Sequence, residues 1–129
     1  MPILEEKGIE PILLNEEEGV FGSIQDRSDA KKSIELFKKQ KENIKGIIVS
    51  LPNFGDEKSI VETIKESDLD VPVLVHAFPD EIDKLDYINR RDSFCGKISV
   101  CNNLKQFGID FSLTENHTLA PDTKEFKDE

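Results

Sequence analysis

Apolar residues along this chain fall into short runs that alternate with longer stretches of helical spacing. The run Ile12–Leu14 predicts a first buried strand. The β-branched run within 46–52 (GIIVSLP) is closed by a proline and predicts a strand buried on both faces. The run within 71–79 (VPVLVHAFP) is again closed by a proline and predicts the next strand. The sequence IDFSL at 109–113 predicts a shorter strand, so the pattern indicates four strands in all.

Three of the intervening stretches have the periodicity of amphipathic helices. The first begins at Asp26 or Ser28, which are both good N-caps, and ends near 43–46. Its apolar positions are Ala30, Ile34, Phe37 and Ile44. The second follows the sequence NFGDE and turns Ile60, Val61 and Ile64 inward. The third spans 94–107 and is stopped by Gly108, and its predicted inner face is Ile98, Val100, Cys101, Leu104 and Phe107.

Strands that alternate with helices are typical of a mostly parallel α/β sheet. We therefore predict a single three-layer domain over residues 1–129, Rossmann-like or flavodoxin-like, with about four strands. Such sheets bind ligands beyond the carboxyl ends of their strands. The loops that follow the predicted strands are NEEEGVFGSIQDR, PNFGDE and FPDEIDKLDYINRRDSFCGK, and a functional site is expected there.

The charge balance narrows the possible partners. There are 27 acidic and 17 basic residues, and the formal net charge is −10. A nucleic-acid or anionic-membrane surface needs clustered Lys and Arg, so neither partner is expected. No apolar run approaches the roughly 20 residues of a membrane span. No secretory signal is recognisable, and with only two cysteines this predicts a cytoplasmic protein.

The cysteines and glycines do not form a recognisable metal or nucleotide site. Cys95 and Cys101 lie six residues apart, which fits neither a CxxC redox pair nor paired zinc ligands, so packed cysteines are favoured. No phosphate-loop or dinucleotide-binding sequence follows a strand. The helix start at 93–97 is either a plain cap or a place where free N–H groups hold a small anion or hydroxyl.

The remaining candidate groups each allow two interpretations. Arg90 and Arg91 are either surface salt-bridge partners or a clamp on a polar ligand or on a neighbouring subunit's carboxylate. His76 ends a predicted strand and is either a hydrogen-bonded core residue or a ligand or base, whereas His117 is interpreted as a loop residue. No GxSxG sequence is present, and the residues alone supply no complete catalytic set.

The order of these segments resembles the N-terminal domain of the fucose isomerase and arabinose isomerase superfamily, which are metal-dependent aldose–ketose isomerases. The resemblance covers most of the chain, and its most specific part is GKISVCNNLKQFGI. That segment resembles the glycine-lysine-serine helix start and the following amphipathic helix of fucose isomerases. Three earlier segments contribute in the same order: FGSIQDRSDAKKSIELF, GIIVSLPNFGDE and VPVLVHAF.

This resemblance implies recognition rather than catalysis. In the family, strand-end loops of one subunit reach over the metal pocket of a neighbouring subunit, so the expected partners are an aldose sugar, the parent enzyme's remaining domains and further copies in a trimer or hexamer. No catalytic residue and no metal ligand is expected in this chain, because the parent's Mn²⁺ is bound by later domains. The substrate-facing positions implied are Arg27, Asn53, Phe54, Arg91, Asp92 and Cys95.

The chain also departs from the family pattern. Arabinose isomerases carry glutamine-serine-x-histidine-glycine where this chain has DSFCG, so Asp92 and Cys95 replace two polar contacts and a fucose-isomerase-like relative is favoured. The family's domain opens with a further strand and helix ahead of GIEPILLN. Their absence predicts a fragment of a longer isomerase whose sheet lacks a central strand, with unpaired edges or a changed strand order.

Two other classes of protein remain open. One is a freestanding flavodoxin-like binding or signalling module, although the strand IVSLP ends without the aspartate that a receiver domain needs. The other is a sugar-binding half-domain of periplasmic type, against which the lack of a signal sequence weighs.

Overall fold

The computed structural model describes residues 2–15, 17 and 22–129 as alternating helices and strands. The elements are α1 Pro2–Glu6, α2 Arg27–Lys39, β1 Ile47–Leu51, α3 Glu57–Ser67, β2 Val73–Ala77, α4 Ser93–Gln106, β3 Ser112–Leu113 and α5 Lys124–Asp128, with a short 3-10 helix at Ile82–Lys84. This order confirms the predicted α/β class. No helix in the described ranges is long and apolar enough to cross a membrane.

The three strands form one parallel sheet in the order β1-β2-β3. Ile47 is paired with Val73 and Leu51 with Ala77, so β1 and β2 run side by side over their whole length. β3 pairs with β2 through two residues only. Because the strands are parallel, the loops after β1 and β2 leave the sheet at the same edge.

Helices α3 and α4 cover one face of the sheet. The buried residues of this core are Val49, Leu51, Val61, Ile64, Val73, Val75, Ala77, Val100 and Leu104. Each of the two long helices before α4 begins at an aspartate N-cap: Asp26 accepts hydrogen bonds from two backbone N–H groups of α2, and Asp56 does the same for α3. The predicted helix starts and the inward positions of α3 are therefore confirmed.

His76 lies on the opposite face of the sheet, where it is fully buried. Its Nε2 donates to the carbonyl of Leu119 at 2.7 Å, and its Nδ1 is 3.0 Å from the Ser50 hydroxyl. The ring packs on Phe126 of α5, with centroids 4.6 Å apart, beside a second small core of Ile3, Leu119 and Phe126. His76 thus attaches the C-terminal segment to the sheet, which settles its interpretation as a hydrogen-bonded core residue.

The predicted strand Ile12–Leu14 is wrong, because residues 9–15 have no strand structure. A strand exists only where a second strand takes up its backbone N–H and C=O groups. The segment 9–14 makes no backbone hydrogen bond to β1 within the described residues. Residues of the segment 9–14 and of β1 instead line a common groove. The sheet therefore has three strands rather than the four predicted.

Two residues of the predicted inner face of α4 are also exposed. Ile98 is 57% exposed and Phe107 is 47% exposed. Ile98 is two residues from the buried Val100, which is roughly 200° around the helix, so the two side chains lie on different faces. Phe107 is the C-cap residue directly after the last helical residue, so it is not part of the helix that covers the sheet.

The burial of His76 predicts a pH-dependent stability. Burial is the main cause that lowers the pKa of His76 from 6.5, and the charge of Lys97 lowers it further, against an opposing effect of the Leu119 carbonyl. The unfolded chain therefore binds a proton that the folded chain does not. We expect the free energy of unfolding to fall as the pH drops from about 7 to about 5.5, measured by urea denaturation. A His76→Asn variant should be less stable and lose this pH dependence; an unchanged slope in the variant would contradict the assignment.

Candidate functional site

The loop that follows β1 supplies two of the predicted site residues. Asn53 is exposed and Phe54 is 43% exposed, directly beyond the end of the strand. Gly55 adopts a positive φ of 77°, which lets the chain turn sharply into Asp56, the N-cap of α3. The local sequence therefore presents an amide and an aromatic ring at the carboxyl edge of the sheet.

Arg91 joins the loop after β2 to the loop after β1. Its Nη1 donates to the carbonyl of Pro52 at 3.2 Å, and its Nη2 donates to Glu81 Oε1 at 2.9 Å. The backbone N–H of Arg91 donates to Asp80 Oδ1 at 2.6 Å, and the guanidinium carbon lies 5.8 Å from the Phe78 ring centroid. These contacts hold the planar guanidinium of Arg91 in one position, where it bonds both to the loop after β1 and to the loop after β2.

Arg90 and Asp92 form a second charged pair beside it. Arg90 Nε is 2.9 Å from Asp92 Oδ2, and the Arg90 guanidinium lies 5.4 Å from the Tyr87 ring centroid. Asp92 is the N-cap of α4 in the left-handed region, with a φ of 53°, but its carboxylate makes no capping hydrogen bond. The interpretation of Arg90 and Arg91 as surface salt-bridge partners is therefore confirmed. It does not exclude the interpretation of an arginine as a clamp on a polar ligand, because both arginines lie near the carboxyl ends of the strands.

Gly96 allows α4 to lie directly against the loop after β1. A Cβ atom at this position would stand only 2.3 Å from the carbonyl oxygen of Phe54. Ser93, at the start of the same helix, is fully buried, and its hydroxyl has no hydrogen-bond partner within the described residues. The glycine in the sequence FCGKIS is thus required by a close approach of two backbones.

Lys97 positions a third loop, a role that sequence reasoning missed. The side chain is buried, and its Nζ donates to Thr114 Oγ1 and to the His117 carbonyl, both at 3.0 Å. Burial lowers the pKa of the Lys97 ammonium. Next to it the rings of Phe94 and His117 are 5.1 Å apart. The sequence signal was the glycine-lysine pair that opens GKISVCNNLKQFGI, which the family resemblance identified as a helix start without assigning a contact to the lysine.

The structure brings together four of the six predicted substrate-facing residues. Asn53, Phe54, Arg91 and Asp92 line one groove of about 1380 Å³ that continues along β1. Cys95 is exposed on the first turn of α4, so the prediction that its side chain is packed is wrong. It also does not line this groove. Arg27 also lies outside it, with Nε 3.9 Å from Glu62 Oε2 of α3. Residues 16 and 18–21 of the first predicted loop lie outside the described residues.

The electrostatics of these loops suit binding through hydrogen bonds. Hydrogen bonds from Lys84 and then Arg91 lower the pKa of the exposed Glu81, which keeps it ionised. The arginines already have carboxylate partners, so each is held in one geometry with further N–H groups available. Within the described ranges no group of three or more His, Cys, Asp or Glu side chains is arranged to hold a metal ion.

A parallel sheet with helices between its strands, and with polar and aromatic side chains at the strands' carboxyl ends, is typical of a Rossmann-like α/β domain. The whole chain, residues 1–129, matches the family described as fucose/sulfoquinovose isomerase, N-terminal domain. The chain belongs to this family, which confirms the resemblance found in the sequence. Comparisons with curated proteins and with solved structures gave no match.

The contact at Gly96 gives a direct test of how the site is assembled. We expect Gly96→Ala to lower the free energy of unfolding by about 2 kcal/mol, because the new methyl group forces α4 away from Phe54. Urea denaturation measures the change. The matched control is Gly46→Ala, whose Cβ would lie 3.6 Å from the Pro72 carbonyl, an ordinary contact that should change stability by less than about 0.5 kcal/mol. Equal effects of the two substitutions would rule out the close packing of α4 on this loop.

Proposed function

We propose that this chain is the substrate-recognition and oligomerisation domain of a metal-dependent aldose–ketose isomerase of the fucose isomerase type. The family match supports an isomerase domain. The observation that carries the finer proposal is the bridge made by Arg91 between the two strand-end loops. It holds Asn53, Phe54 and Asp92 around a single groove rather than leaving them scattered over the surface.

The side chains at this groove match the chemistry of an open-chain sugar. An aldose presents hydroxyl groups that both donate and accept hydrogen bonds, and a C–H face that packs against an aromatic ring. The Asn53 amide and the Arg91 guanidinium supply polar partners, and the half-exposed Phe54 ring supplies the apolar contact. These groups lie on an open surface, so water is excluded only once a second surface covers them.

Catalysis belongs to the rest of the parent enzyme in this proposal. Aldose–ketose isomerisation moves hydrogen between C1 and C2 while a bound metal ion polarises the two substrate oxygens. The described residues hold no suitable cluster of ligands, so the Mn²⁺ ligands are assigned to domains outside this chain. In this proposal the chain is a catalytically incomplete part of a larger enzyme, and that enzyme is cytoplasmic.

A neighbouring subunit is the proposed covering surface. The segment 82–88 carries four large apolar residues with high exposure: Ile82 at 87%, Leu85 at 58%, Tyr87 at 86% and Ile88 at 87%. A cluster of this kind beside a binding site is typical of a surface that becomes buried in an assembly. This segment and Arg91 lie in the same loop after β2. If a neighbouring subunit packed on the segment, the groove would lie at the junction of two subunits of a trimer or hexamer.

We expect Arg91→Ala in the full-length parent enzyme to raise the KM for its aldose by roughly ten- to a hundredfold, with little effect on Mn²⁺ affinity. Loss of one charged hydrogen-bonding group at a binding site costs roughly 1.5–3 kcal/mol. Steady-state kinetics and manganese titration measure the two quantities. The control Lys31→Ala removes an exposed charge from α2, away from the groove, and should change neither. Arg91→Lys should recover only part of the loss, because an ammonium lacks the two-pronged geometry. Loss of manganese binding with an unchanged KM would show the assignment to be wrong.

The isolated 129-residue chain should convert no L-fucose, D-arabinose or L-arabinose to ketose in the presence of added Mn²⁺. The reason is the lack of a metal-ligand cluster within the described residues. A colorimetric ketose assay against a protein-free blank measures the product. Ketose above the blank would place catalytic groups inside this chain and overturn the division of labour proposed here.

A further inference from the structure

The two arginines at the strand ends each share their charge with a carboxylate. Arg91 Nη2 lies 2.9 Å from Glu81 Oε1, and Arg90 Nε lies 2.9 Å from Asp92 Oδ2. The other oxygen of Glu81 lies 2.5 Å from Lys84 Nζ. Arginine N–H donors and carboxylate acceptors therefore lie side by side at these strand ends, and the positive charge of each arginine is already balanced.

The surroundings of Arg91 are negative rather than positive. The loops 52–56 and 78–92 contain six acidic and three basic residues, so their formal net charge is −3. Arg91 also lines a second, smaller hollow of about 460 Å³, where the other charged residues are Asp80, Glu81 and Asp122. A ligand that reaches the Arg91 guanidinium therefore meets carboxylates at the same time.

This arrangement suits a hydroxyl group better than an anion. A sugar hydroxyl both donates and accepts hydrogen bonds, so it can bind an arginine and the partner carboxylate of that arginine together. A sulfonate has acceptor oxygens only and a full negative charge. Next to Glu81 or Asp92 it would gain no hydrogen bond from the carboxylate and would be repelled by it.

The family description names fucose and sulfoquinovose, of which the first is an uncharged sugar and the second carries a sulfonate. We propose that Glu81 and Asp92 make the strand-end site of this chain selective for an uncharged aldose and exclude a sugar with an acidic group. The two carboxylates determine specificity because each balances the charge of one arginine. The inference rests on the proposed function, since it concerns the same sugar site.

The first experiment titrates methanesulfonate, which presents the acidic group alone, into the full 129-residue chain labelled with ¹⁵N. NMR at low ionic strength follows the backbone amide of Arg91 and the Nε–H signals of Arg90 and Arg91. We expect millimolar methanesulfonate to leave these signals unchanged, because the carboxylates repel it. Saturable shifts in the wild-type chain would show that the arginines accept an anion, and the inference would then be wrong.

The double variant Glu81→Gln, Asp92→Asn keeps the shape of both side chains and removes their charges. Asparagine tolerates the left-handed backbone at Asp92, where φ is 53°. We expect saturable shifts at both arginines that weaken as NaCl screens the attraction. The matched control Glu62→Gln removes the carboxylate 3.9 Å from Arg27 and should behave as the wild type does. If the double variant also shows no shift, the two carboxylates do not control the charge selectivity.

The second experiment measures kcat/KM of the full-length parent enzyme for L-fucose, D-arabinose, L-arabinose and sulfoquinovose. We expect turnover of at least one uncharged sugar, with a kcat/KM roughly a hundredfold or more above that for sulfoquinovose. The double variant should narrow this ratio about tenfold. Equal or faster turnover of sulfoquinovose, or an unchanged ratio in the double variant, would overturn the inference and leave the isomerase proposal intact. Turnover of none of the four sugars would contradict the proposed function itself.

Discussion

The parallel hydrogen-bonded ladder between β1 and β2 determines where the other parts of this domain lie. It buries five strand residues against α3 and α4, and it brings the carboxyl ends of the two strands to one edge. The loops that begin there have to run next to each other, which is why Arg91 in one loop reaches the Pro52 carbonyl in the other. The proposed sugar groove begins where these two loops meet.

Buried polar side chains hold the other segments to this ladder. His76 binds the Leu119 carbonyl, and Lys97 binds Thr114 and the His117 carbonyl, so both connect the sheet or its covering helix to the C-terminal segment. A buried polar group is costly when it loses its partner, which makes such contacts specific as well as stabilising. A short α/β domain with a two-residue third strand therefore depends on side-chain hydrogen bonds where a larger sheet would use backbone pairing.

Much of the fold was predictable because the relevant forces are local. Asp26 and Asp56 cap helices through contacts within three residues. The runs within 46–52 and 71–79 form β1 and β2 as predicted, but the prediction that the first is buried on both faces is wrong, because Ile48 is exposed and Ser50 is only partly buried. Ile12–Leu14 has the composition of a strand and yet forms none, because strand formation requires a partner edge that composition does not reveal. Ile98 was misplaced because it lies roughly 200° around the helix from Val100, so the two side chains cannot share the inner face. The buried side of α4 instead carries Gly96 and Lys97 together with Val100 and Leu104.

By itself the sequence determined the α/β class, the helices α2 to α4, the strands β1 and β2, and the family to which the chain belongs. It also identified Asn53, Phe54, Arg91 and Asp92 as residues of interest, through their order in that family. Only the tertiary structure decided that these four line one groove while Arg27 and Cys95 do not. It alone revealed the partners of His76 and Lys97. Those features join residues far apart in the chain, and their energies depend on which backbone and side-chain groups folding brings within hydrogen-bonding distance.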